Sequence, residues 1–537
     1  MLSSNKNILE TLSVLRQHGV HDFVLCPGSR NAPISHSVCQ IEDFCAHTAT
    51  DERSAGFMAL GMALATHAPV AVVVTSGSAL ANLYPAACEA FYQHAPLVFI
   101  SADRPAAWIG QMDGQTMPQE GALGKMVKMS VSLPEDNLWH ANRLLNEAML
   151  ACKDRLPQGP VHINIPISEP VYKFNAKSLP EARVIRLRNI SLWHKTPENE
   201  QDCLVLPQGR TLIVIGQLHI TEQAIPFILQ QVSANFRIVA ENLSKTPTPD
   251  CTNPCQIDWT RMKRVDRLIT LGGHIVNKEL KEFFRKHKPK EHWHVSPDGA
   301  VADTFCCQTH AVVASVAEFL NYMLLCNTSK CKPLKLPLKD TGAGTADPRV
   351  DLLAELFSKL PETVNVHLAN SSTVRLAQQA MTAYRNYVYP MIFCNRGING
   401  IEGCVSTAVG FAMAVPKTER LVLVTGDLAF FYDSNALWNE ALPANIGILL
   451  LNNGEGGIFR QVKGFGENPM AQGFHHATAE GICHQNGVTY VAIHNIDELY
   501  QQIERLTDEE APIVMEVFTD AEIDKQELIN IYNSFKL

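Results

Sequence analysis

The stretch TGDLAFFYDSNALWNEALPANIGILLLNNGEGGIF, from Thr425 to Phe459, joins two apolar runs through a helix-like insert. Gly426-Asp427 follows the first run, and Asn452-Asn453 follows the second. Asp427 and Asn453 are 26 positions apart, which is enough for a helical crossover that returns the chain to a neighbouring parallel strand. The pattern therefore predicts a parallel sheet in which these two side chains lie at adjacent strand ends.

Units of the same kind recur along the chain and form three blocks. Their apolar runs are continuous in Val, Ile and Leu without alternation, as expected for strands that are buried on both faces. The sequence therefore predicts the α/β class, with three doubly wound domains and mainly parallel sheets. The runs are FVLC, VAVVVTSG, PLVFISADRP and VHINIPI in the first block, TLIVIG, FRIVAENL and LITLGG in the second, and VNVHLANSS, MIFCNRG, LVLVTGD, IGILLLNN and IVMEVF in the third.

Length and local composition indicate where the domains begin and end. A chain of 537 residues is too long for one ordinary core and predicts about three domains of roughly 150 residues each. Two weakly patterned stretches, Tyr172 to Gly209 and Thr328 to Pro348, are typical of surface connections. We therefore expect domains at residues 1–175, 205–330 and 345–537.

Composition argues against several classes of protein. A hydrophobic fraction of 46% and a charged fraction of 18% are typical of a soluble globular protein, and no apolar run approaches the ~20 residues of a membrane span. A net charge of −9 argues against a nucleic-acid-binding surface. The first residues, MLSSNKNILETL, lack the basic start and apolar core of a signal peptide, so we expect a cytoplasmic protein.

The fifteen cysteines are expected to be reduced in that compartment. Cys251 and Cys255 with Cys306 and Cys307 come closest to a zinc-binding pattern. Their spacing is not a usual one, and no His is placed to complete it. Ordinary buried thiols are therefore the favoured interpretation.

Polar and Gly-rich clusters follow one predicted strand after another. PGSR, TSGSA and SADRP end strands of the first block, and ANSS, NRG, GD and NNGEGG end strands of the third. Open parallel sheets bind ligands at these carboxyl ends. The side-chain oxygens of Asp427 and Asn453 suit Mg²⁺, which takes a few protein oxygens together with phosphate oxygens. Backbone N–H groups of the same turns suit a diphosphate.

The GD and NN pairs resemble the fingerprint of thiamine diphosphate enzymes, although Leu428 stands where that superfamily has glycine. The resemblance implies that thiamine diphosphate binds together with Mg²⁺, or with Mn²⁺ in its place. The implied metal ligands are the side chains of Asp427 and Asn453 and the backbone carbonyl of Glu455. Because a free carboxylate that points at a diphosphate is unfavourable, we expect the Glu455 side chain to turn outward.

TDERSAGFMALGMALA places Glu52 at the head of a small, apolar helix. Taken alone, Asp51-Glu52-Arg53 is typical of a charged helix N-terminus. Beside the GD and NN pairs, it resembles the DERxxGF element of one thiamine-dependent group. In that group the matching glutamate shares a proton with the aminopyrimidine ring of the cofactor, so the resemblance implies that Glu52 is the catalytic carboxyl.

Further motifs resemble the 2-succinyl-5-enolpyruvyl-6-hydroxy-3-cyclohexene-1-carboxylate synthase family. PGSRNAP, DERSAGF, TSGSALANLYPAACEA and SADRP follow in order, and NSSTVR, NRGINGIEG and NNGEGGIF extend the match over the chain, with a weaker middle block. The resemblance implies a transferase of menaquinone biosynthesis that decarboxylates 2-oxoglutarate and adds the product to isochorismate. Both substrates are multiply anionic, and Arg suits them because it binds carboxylates bidentately.

Matching positions in these motifs imply the residues that contact each ligand. For each Arg the alternative to substrate binding is a surface salt bridge that contributes little to stability. For Ile401 and Phe459 the alternative to ligand contact is packing in the core. In the family the residue at Ile401 is an apolar wedge beneath the cofactor, and Phe459 would line the pocket above it. The implied cofactor contacts are Glu52, Gly77, Ile401, Gly426, Asp427 and Asn453, and the implied substrate contacts are Ser29, Arg30, Arg104, Gln115, Lys278, Ser371, Arg375, Arg396 and Phe459.

The superfamily also implies a partner. Its pyrimidine and diphosphate domains hold one cofactor from different subunits, so the first and third blocks imply a homodimer or a dimer of dimers. His475-His476 lie in the turn-rich GFGENPMAQGFHHAT, which we assign to a mobile loop at residues 460–476. Closure of this loop over the substrate is a hypothesis.

Two other functions remain as alternatives. One is another thiamine diphosphate enzyme, a 2-oxoacid decarboxylase or an acetolactate-type synthase, with a smaller and less cationic pocket. The other is a non-catalytic, nucleotide-binding α/β protein that uses TLIVIGQL and LITLGG. Neither of these segments contains a G-x-G-x-x-G followed by a helix start, which disfavours the second alternative.

Overall fold

Three six-stranded sheets, each parallel throughout, follow one another along the chain in the computed structural model. The α/β class with doubly wound parallel sheets is therefore confirmed. No helix among the described residues is both long and apolar enough to cross a membrane. The structure describes residues 1–186, 209–218, 225–245, 250–325, 334–339, 348–361, 363–383, 392–439, 442–457, 469–508 and 510–519.

The N-terminal sheet has the strand order β3-β2-β4-β5-β7-β6, and β1 pairs with β8 outside it. Alternate residues of β4 pack on opposite sides: Val72 against the cluster that contains α3, and Val73 against the cluster that contains α1. The elements are β1 (Leu2–Ser3), α1 (Lys6–Gln17), β2 (Asp22–Leu25), α2 (Ala32–Val38), β3 (Cys45–Thr48), α3 (Glu52–Thr66), β4 (Val70–Val74), α4 (Ser78–Asn82), α5 (Tyr84–Gln93), β5 (Leu97–Asp103), β6 (Met129–Ser132), α6 (Leu138–Met149), β7 (Val161–Pro166) and β8 (Phe174–Ala176).

The middle sheet has the order β11-β10-β9-β12-β13-β14. Its strand β13 carries two histidines in a buried run, and the Thr270 hydroxyl lies 3.0 Å from a ring nitrogen of each, His292 and His294. The elements are β9 (Thr211–Ile215), α7 (Ile225–Ser233), β10 (Arg237–Ala240), β11 (Cys251–Thr252), β12 (Arg267–Leu271), α8 (Lys278–Lys286), β13 (Glu291–Ser296), β14 (His310–Val313) and α9 (Val316–Leu325).

The C-terminal sheet has the order β16-β15-β17-β18-β20-β19, which repeats the connectivity of the N-terminal sheet. The elements are α10 (Pro348–Lys359), β15 (Asn365–Leu368), α11 (Ser372–Ala383), β16 (Ile392–Cys394), α12 (Cys404–Ala414), β17 (Leu421–Gly426), α13 (Asp427–Tyr432), β18 (Ile446–Asn452), α14 (Pro469–Gln472), α15 (Glu480–Gln485), β19 (Thr489–Ile493), α16 (Ile496–Gln502), α17 (Arg505–Asp508) and β20 (Ile513–Phe518).

Helices α3 and α12 hold the N-terminal and C-terminal sheets together. Both helices are apolar almost all round and share one core. A Cβ atom added at Gly61 would lie 2.0 Å from the carbonyl oxygen of Thr407, and one added at Gly410 would lie 2.0 Å from that of Met58. The two backbones therefore cross in contact, at positions where only glycine fits.

We expect Gly61→Ala to lower the free energy of unfolding by about 1–3 kcal/mol or more, because two helix backbones must separate to admit the methyl group. Gly481→Ala is the matched control, since an added Cβ in that helix meets nothing within 4 Å. This control is expected to stabilise the protein by up to about 1 kcal/mol. Urea unfolding of both variants measures the difference, and equal stabilities would contradict the contact.

Candidate active site

A cavity of about 170 Å³ opens at the carboxyl ends of the C-terminal strands. It lies where the strand order reverses between β15 and β17, which is where open parallel sheets bind ligands. The lining residues include Ser371, Ile401, Gly426, Asp427, Asn453 and Glu455. Six residues that the sequence singled out, from four separate motifs, thus line one cavity.

Asp427 connects the two strand ends that the opening stretch predicted to be neighbours. Strand β17 pairs directly with β18, and Gly426 stands opposite Leu451. The Oδ2 atom of Asp427 accepts the N–H groups of Asn453 at 3.1 Å and Gly454 at 2.9 Å. The predicted adjacency is therefore confirmed.

Burial dominates the electrostatics of Asp427. It raises the pKa of this carboxyl, although the N–H group of Leu428, which donates to Oδ1 at 2.7 Å, and the nearby His475 oppose the shift. A buried carboxylate is costly unless an opposite charge or hydrogen bonds compensate it. A cation in the cavity would supply that compensation.

Asn453 and Glu455 form a tight turn after β18. The Oδ1 atom of Asn453 accepts the N–H group of Glu455 at 3.2 Å. The expectation that the Glu455 side chain turns outward is wrong, because this residue is only 2% exposed. The segment at 472–475 covers the turn: Gly456 donates to the carbonyl of Gln472, and His475 donates to that of Gly454.

The structure anchors His475, which the sequence had assigned to a mobile loop. Its Nδ1 accepts the N–H group of Ala477 at 3.1 Å, which leaves Nε2 to carry a proton 3.4 Å from the Oδ2 atom of Asp427. Its ring also meets Phe431 edge-on, with the ring centroids 5.3 Å apart. No short spacing in the sequence joins His475 to Asp427, so only the fold could reveal this contact.

These groups fit a divalent cation together with a diphosphate. Carboxylate and amide oxygens of Asp427 and Asn453 converge on one cavity and are the hard ligands that Mg²⁺ prefers. Helix α11 begins at Ser372, which lines the same cavity, so its N-terminal N–H groups suit an anion. Ser371, just before it, has φ = 71°, a strained conformation of the kind that accumulates at ligand sites.

The loop after β16 carries Arg396 and Ile401 and is fastened to Asn370. The side-chain amide of Asn370 donates to the carbonyls of Asn395 and, at 2.6 Å, Gly400, while its oxygen lies 3.4 Å from Nη1 of Arg396. Ile401 packs partly buried at the floor of the cavity against a small cluster of buried side chains. Asn370 therefore positions two predicted site residues, a role that its place in ANSS did not indicate.

Arg375, Arg396 and Lys281 form a basic cluster between the middle and C-terminal sheets. The charges of both arginines act on Lys281, whose pKa is lowered chiefly by burial. Glu241 lies among these cations and accepts the N–H groups of Val276 and Asn277, each at 2.7 Å. Burial raises the pKa of Glu241 to about 7, and Lys281 and Arg396 oppose that shift.

Lys278 and Lys281 lie on the same helix. Lys278 is the first residue of α8, and Lys281 follows one turn later, with its ammonium group donating to the carbonyl of Ile275 at 3.0 Å. The sequence singled out Lys278 from its motif and missed Lys281. Helical spacing alone, which places i and i+3 on one face, would have included both.

Glu52 lies at the first turn of α3, as predicted. Asp51 caps the helix by accepting the N–H groups of Arg53 and Ser54, so Glu52 is not needed as the cap. The Oε2 atom of Glu52 accepts the side-chain amide of Asn82 at 3.2 Å. Its carboxyl is therefore held by one side chain from α4.

The other predicted N-terminal residues gather at the carboxyl ends of the N-terminal strands. Gly77 has φ = 80°, and an added Cβ would lie 3.3 Å from the backbone of Gln115, so these two loops touch. Ser29 bonds to the hydroxyl of Tyr172 at 2.7 Å. Arg30 and Arg104 form ion pairs, with Glu169 at 3.1 Å and Asp113 at 2.9 Å, the arrangement that the salt-bridge alternative predicted.

Glu89 was missed by sequence reasoning and links the N-terminal and C-terminal blocks. This carboxyl is 1% exposed on α5, and it accepts the N–H groups of Gly397 at 2.7 Å and Ile398 at 2.8 Å. The amide of Gln93 donates to it at 2.6 Å. Burial raises its pKa against these three donors. Glu89 thus holds the loop that begins with Arg396.

The predicted site residues form two groups within one chain. All described residues that line the Asp427 cavity come from the C-terminal block, from Arg349 to Thr519, and Glu52 and Gly77 are not among them. Phe459 and most of the 460–476 loop lie outside the described residues. The four cysteines considered for zinc do not converge as a metal cluster among the described residues.

Comparison with known proteins gives matches in both outer blocks. Residues 11–125 match the thiamine pyrophosphate enzyme N-terminal domain, and residues 373–517 match the corresponding C-terminal domain. The chain is 43% identical to 2-succinyl-5-enolpyruvyl-6-hydroxy-3-cyclohexene-1-carboxylate synthase of Phocaeicola vulgatus, over 100% of this chain and 99% of the relative. The enzymes of that name from Bacteroides fragilis (41%, 100% of both chains) and Desulfotalea psychrophila (35%, 94% and 96%) are also similar.

Proposed function

The chain belongs to the 2-succinyl-5-enolpyruvyl-6-hydroxy-3-cyclohexene-1-carboxylate synthase family of thiamine diphosphate enzymes, and on this premise we propose its substrates, metal and assembly. It decarboxylates 2-oxoglutarate and adds the remaining unit to isochorismate, a step of menaquinone biosynthesis. The observation that carries this proposal is the Asp427 cavity, where a buried carboxylate and an amide converge. When bound, thiamine diphosphate supplies the electron sink for loss of CO₂ and attack on the second substrate.

Asp427 and Asn453 hold Mg²⁺ in this proposal, together with the backbone carbonyl of Glu455. Glu455 lines the same cavity and is buried, which is consistent with its backbone carbonyl as the third ligand. Ile401, in the cavity lining, would support the cofactor by apolar contact. The space beside Gly426 is open to a ligand, because a Cβ atom added there meets nothing within 4 Å. Glu52 would share a proton with the ring of bound thiamine diphosphate, and Asn82, which donates to its carboxyl at 3.2 Å, would orient it.

The arginines bind the substrate carboxylates. Arg375 and Arg396 approach from the C-terminal block, and Lys281 adds a third cation from the middle block. Arg30 and Arg104, with Ser29 and Gln115, complete the substrate pocket from the N-terminal block, and Gly77 keeps its proposed contact with the cofactor. Their present partners lie at the surface: the Glu169 side chain is exposed, and that of Asp113 is partly exposed. Such ion pairs contribute little to stability, so substrate carboxylates can replace them at a small cost in free energy. Lys278 and Phe459 keep their proposed substrate contacts.

A second copy of the chain completes each site. This proposal is supported by the lining of the Asp427 cavity, which comes entirely from the C-terminal block, whereas Glu52 lies in the N-terminal block. The outer blocks then act as pyrimidine and diphosphate domains, at residues 1–175 and 345–537, with residues 205–330 between them. Because each site then needs two chains, the proposed assembly is a homodimer or a dimer of dimers. The described cysteines are all free, which supports a reducing compartment, and we propose the cytoplasm.

Mixing two inactive variants tests the shared site. Glu52→Gln in one chain and Asp427→Asn in the other leave one intact site per mixed dimer only if each site draws on both subunits. Random reassembly should then restore about a quarter of wild-type activity, because half of the dimers are mixed and each has one of two sites. If mixing restores no activity although native mass spectrometry shows mixed dimers, each site is formed within one chain.

The reaction itself is tested by CO₂ release from 2-oxoglutarate and from pyruvate. Each 2-oxoacid is supplied with and without isochorismate, thiamine diphosphate and Mg²⁺. Release from 2-oxoglutarate that requires the cofactor, with the cyclohexene adduct identified by mass, is expected. If CO₂ is released from pyruvate and not from 2-oxoglutarate, the proposed substrate is wrong and the proposed cofactor stands. If neither 2-oxoacid releases CO₂, the proposal is overturned.

We expect Glu89→Ala to lower both thermal stability and substrate affinity. The change leaves the N–H groups of Gly397 and Ile398 and the Gln93 amide without their acceptor, at about 1–3 kcal/mol for each unpaired buried donor. Since this loop carries Arg396, the KM for substrate should rise more than kcat falls. Glu120→Ala, which alters an exposed carboxyl of the same block, is the control. Lower stability with an unchanged KM would make Glu89 purely structural.

A further inference from the structure

Three side chains of the types that bind zinc converge at the edge of the N-terminal sheet. The Asp427 cavity, by contrast, lies in the C-terminal block. The three side chains are those of Asp22, Cys45 and His47, and their ligand atoms all lie within 4.8 Å of one another. No second group of three such side chains converges this closely in the part of the chain that the structure describes. The proposed function uses none of them.

Sheet register sets this convergence. In the parallel pairing of β2 with β3, Asp22 stands opposite Cys45, and Val24 stands opposite His47. Cys45 and His47 are two residues apart on one strand and therefore point to the same face of the sheet. Because β3 is the edge strand, this face is open to solvent beside the cluster: Cys45 is exposed, and Asp22 and His47 are partly exposed.

The sulfur-to-nitrogen distance is close to that between two ligands of a tetrahedral zinc ion, and the carboxylate oxygen lies somewhat farther away. The Sγ atom of Cys45 is 3.3 Å from Nε2 of His47, and that nitrogen is 3.9 Å from Oδ1 of Asp22. Bonds of about 2.3 Å to sulfur and 2.0 Å to nitrogen at a tetrahedral angle place the two ligand atoms roughly 3.5 Å apart. Binding of one ion by all three atoms requires the Asp22 carboxylate to move closer to the other two.

We propose that Asp22, Cys45 and His47 form a zinc site, with water as the fourth ligand. One thiolate, one imidazole and one carboxylate favour Zn²⁺ over Mg²⁺, which prefers oxygen ligands. The site therefore differs in chemistry from that at Asp427. The ordinary alternative is a thiol–imidazole hydrogen bond on an edge strand, with no metal, and the experiment below separates the two.

Co²⁺ is the probe, because a thiolate ligand gives it a near-ultraviolet charge-transfer band that oxygen ligands do not give. The full chain, loaded with thiamine diphosphate and excess Mg²⁺, is titrated with Co²⁺ and then with Zn²⁺. One thiolate-bound Co²⁺ per chain, displaced by Zn²⁺, is expected. Cys45→Ser should abolish the band, and His47→Ala should weaken binding at least about tenfold.

Cys39→Ser is the matched control, because Cys39 is another exposed cysteine of the same block. This variant should keep the band and the stoichiometry. Thermal unfolding of each variant without zinc confirms that the fold persists. A band that survives Cys45→Ser, a band that Cys39→Ser removes, or the absence of any band in the wild-type protein would each overturn the proposal.

Discussion

Replacing Glu52 with glutamine is expected to slow CO₂ release from 2-oxoglutarate by about 10²–10⁴-fold, the range that one positioned acid or base contributes. Glutamine has the same size and can still accept the Asn82 amide, but it cannot take up or release a proton. The helix should be unaffected, because Asp51 caps it. A large loss of rate without a loss of fold is therefore the signature of this residue.

Single-turnover kinetics, calorimetric titration with thiamine diphosphate and thermal unfolding together test this result. Cofactor affinity and stability should stay close to those of the wild-type protein. Glu120→Gln serves as the control, because Glu120 is an exposed carboxyl of the same block. A rate for Glu52→Gln within about tenfold of the wild-type rate would rule out the assigned proton exchange.

Asp427→Asn is expected to weaken Mg²⁺-dependent cofactor binding by about 10- to 150-fold, since a lost charge-assisted contact costs about 1.5–3 kcal/mol. The change removes the negative charge that offsets a cation. In the wild-type protein, Oδ2 of Asp427 accepts the backbone N–H groups of Asn453 and Gly454. If the amide nitrogen of the new side chain takes the place of Oδ2, donors face donors and these hydrogen bonds are lost. Turnover should fall with cofactor binding.

Titration of the cofactor at several Mg²⁺ concentrations measures this effect. Asp497→Asn is the matched control, since Asp497 is an exposed aspartate in the first turn of α16, in the same block. We expect Asp497→Asn to behave like the wild-type protein. If Asp427→Asn binds the cofactor with unchanged Mg²⁺ dependence, the metal is held elsewhere.

The buried strands and the Asp427 cavity were predictable because both depend on local patterns. Runs such as VAVVV and IGILLL have no polar face, so they identified β4 and β18 directly. Polar residues that end such runs must meet at one edge of a parallel sheet, which brought Asp427 and Asn453 together. Most of the strands left out, among them β3 and β14, are edge strands whose exposed residues interrupt the apolar pattern. The inner strand β13 was missed for another reason, because its buried run, EHWHVS, carries two histidines.

The remaining features depend on contacts between distant segments. Glu89 and Gly397 are 308 positions apart, and the basic cluster joins helices of two blocks. Glu455 was misjudged because the segment that buries it, near Gln472, follows it in the chain and carries no pattern that predicts packing on the turn. The zinc-type cluster was hidden for the same reason, since Asp22 and Cys45 belong to different strands.

The crossing of α3 and α12 has a consequence for synthesis on the ribosome. About 340 residues separate the end of α3 from the start of α12. At a translation rate of about 5–20 residues per second, the apolar surface of α3 stays unpacked for on the order of tens of seconds before α12 is synthesised. The nascent N-terminal block is therefore expected to need chaperone shielding until translation passes Ala414, and truncation before that point should yield an aggregating fragment.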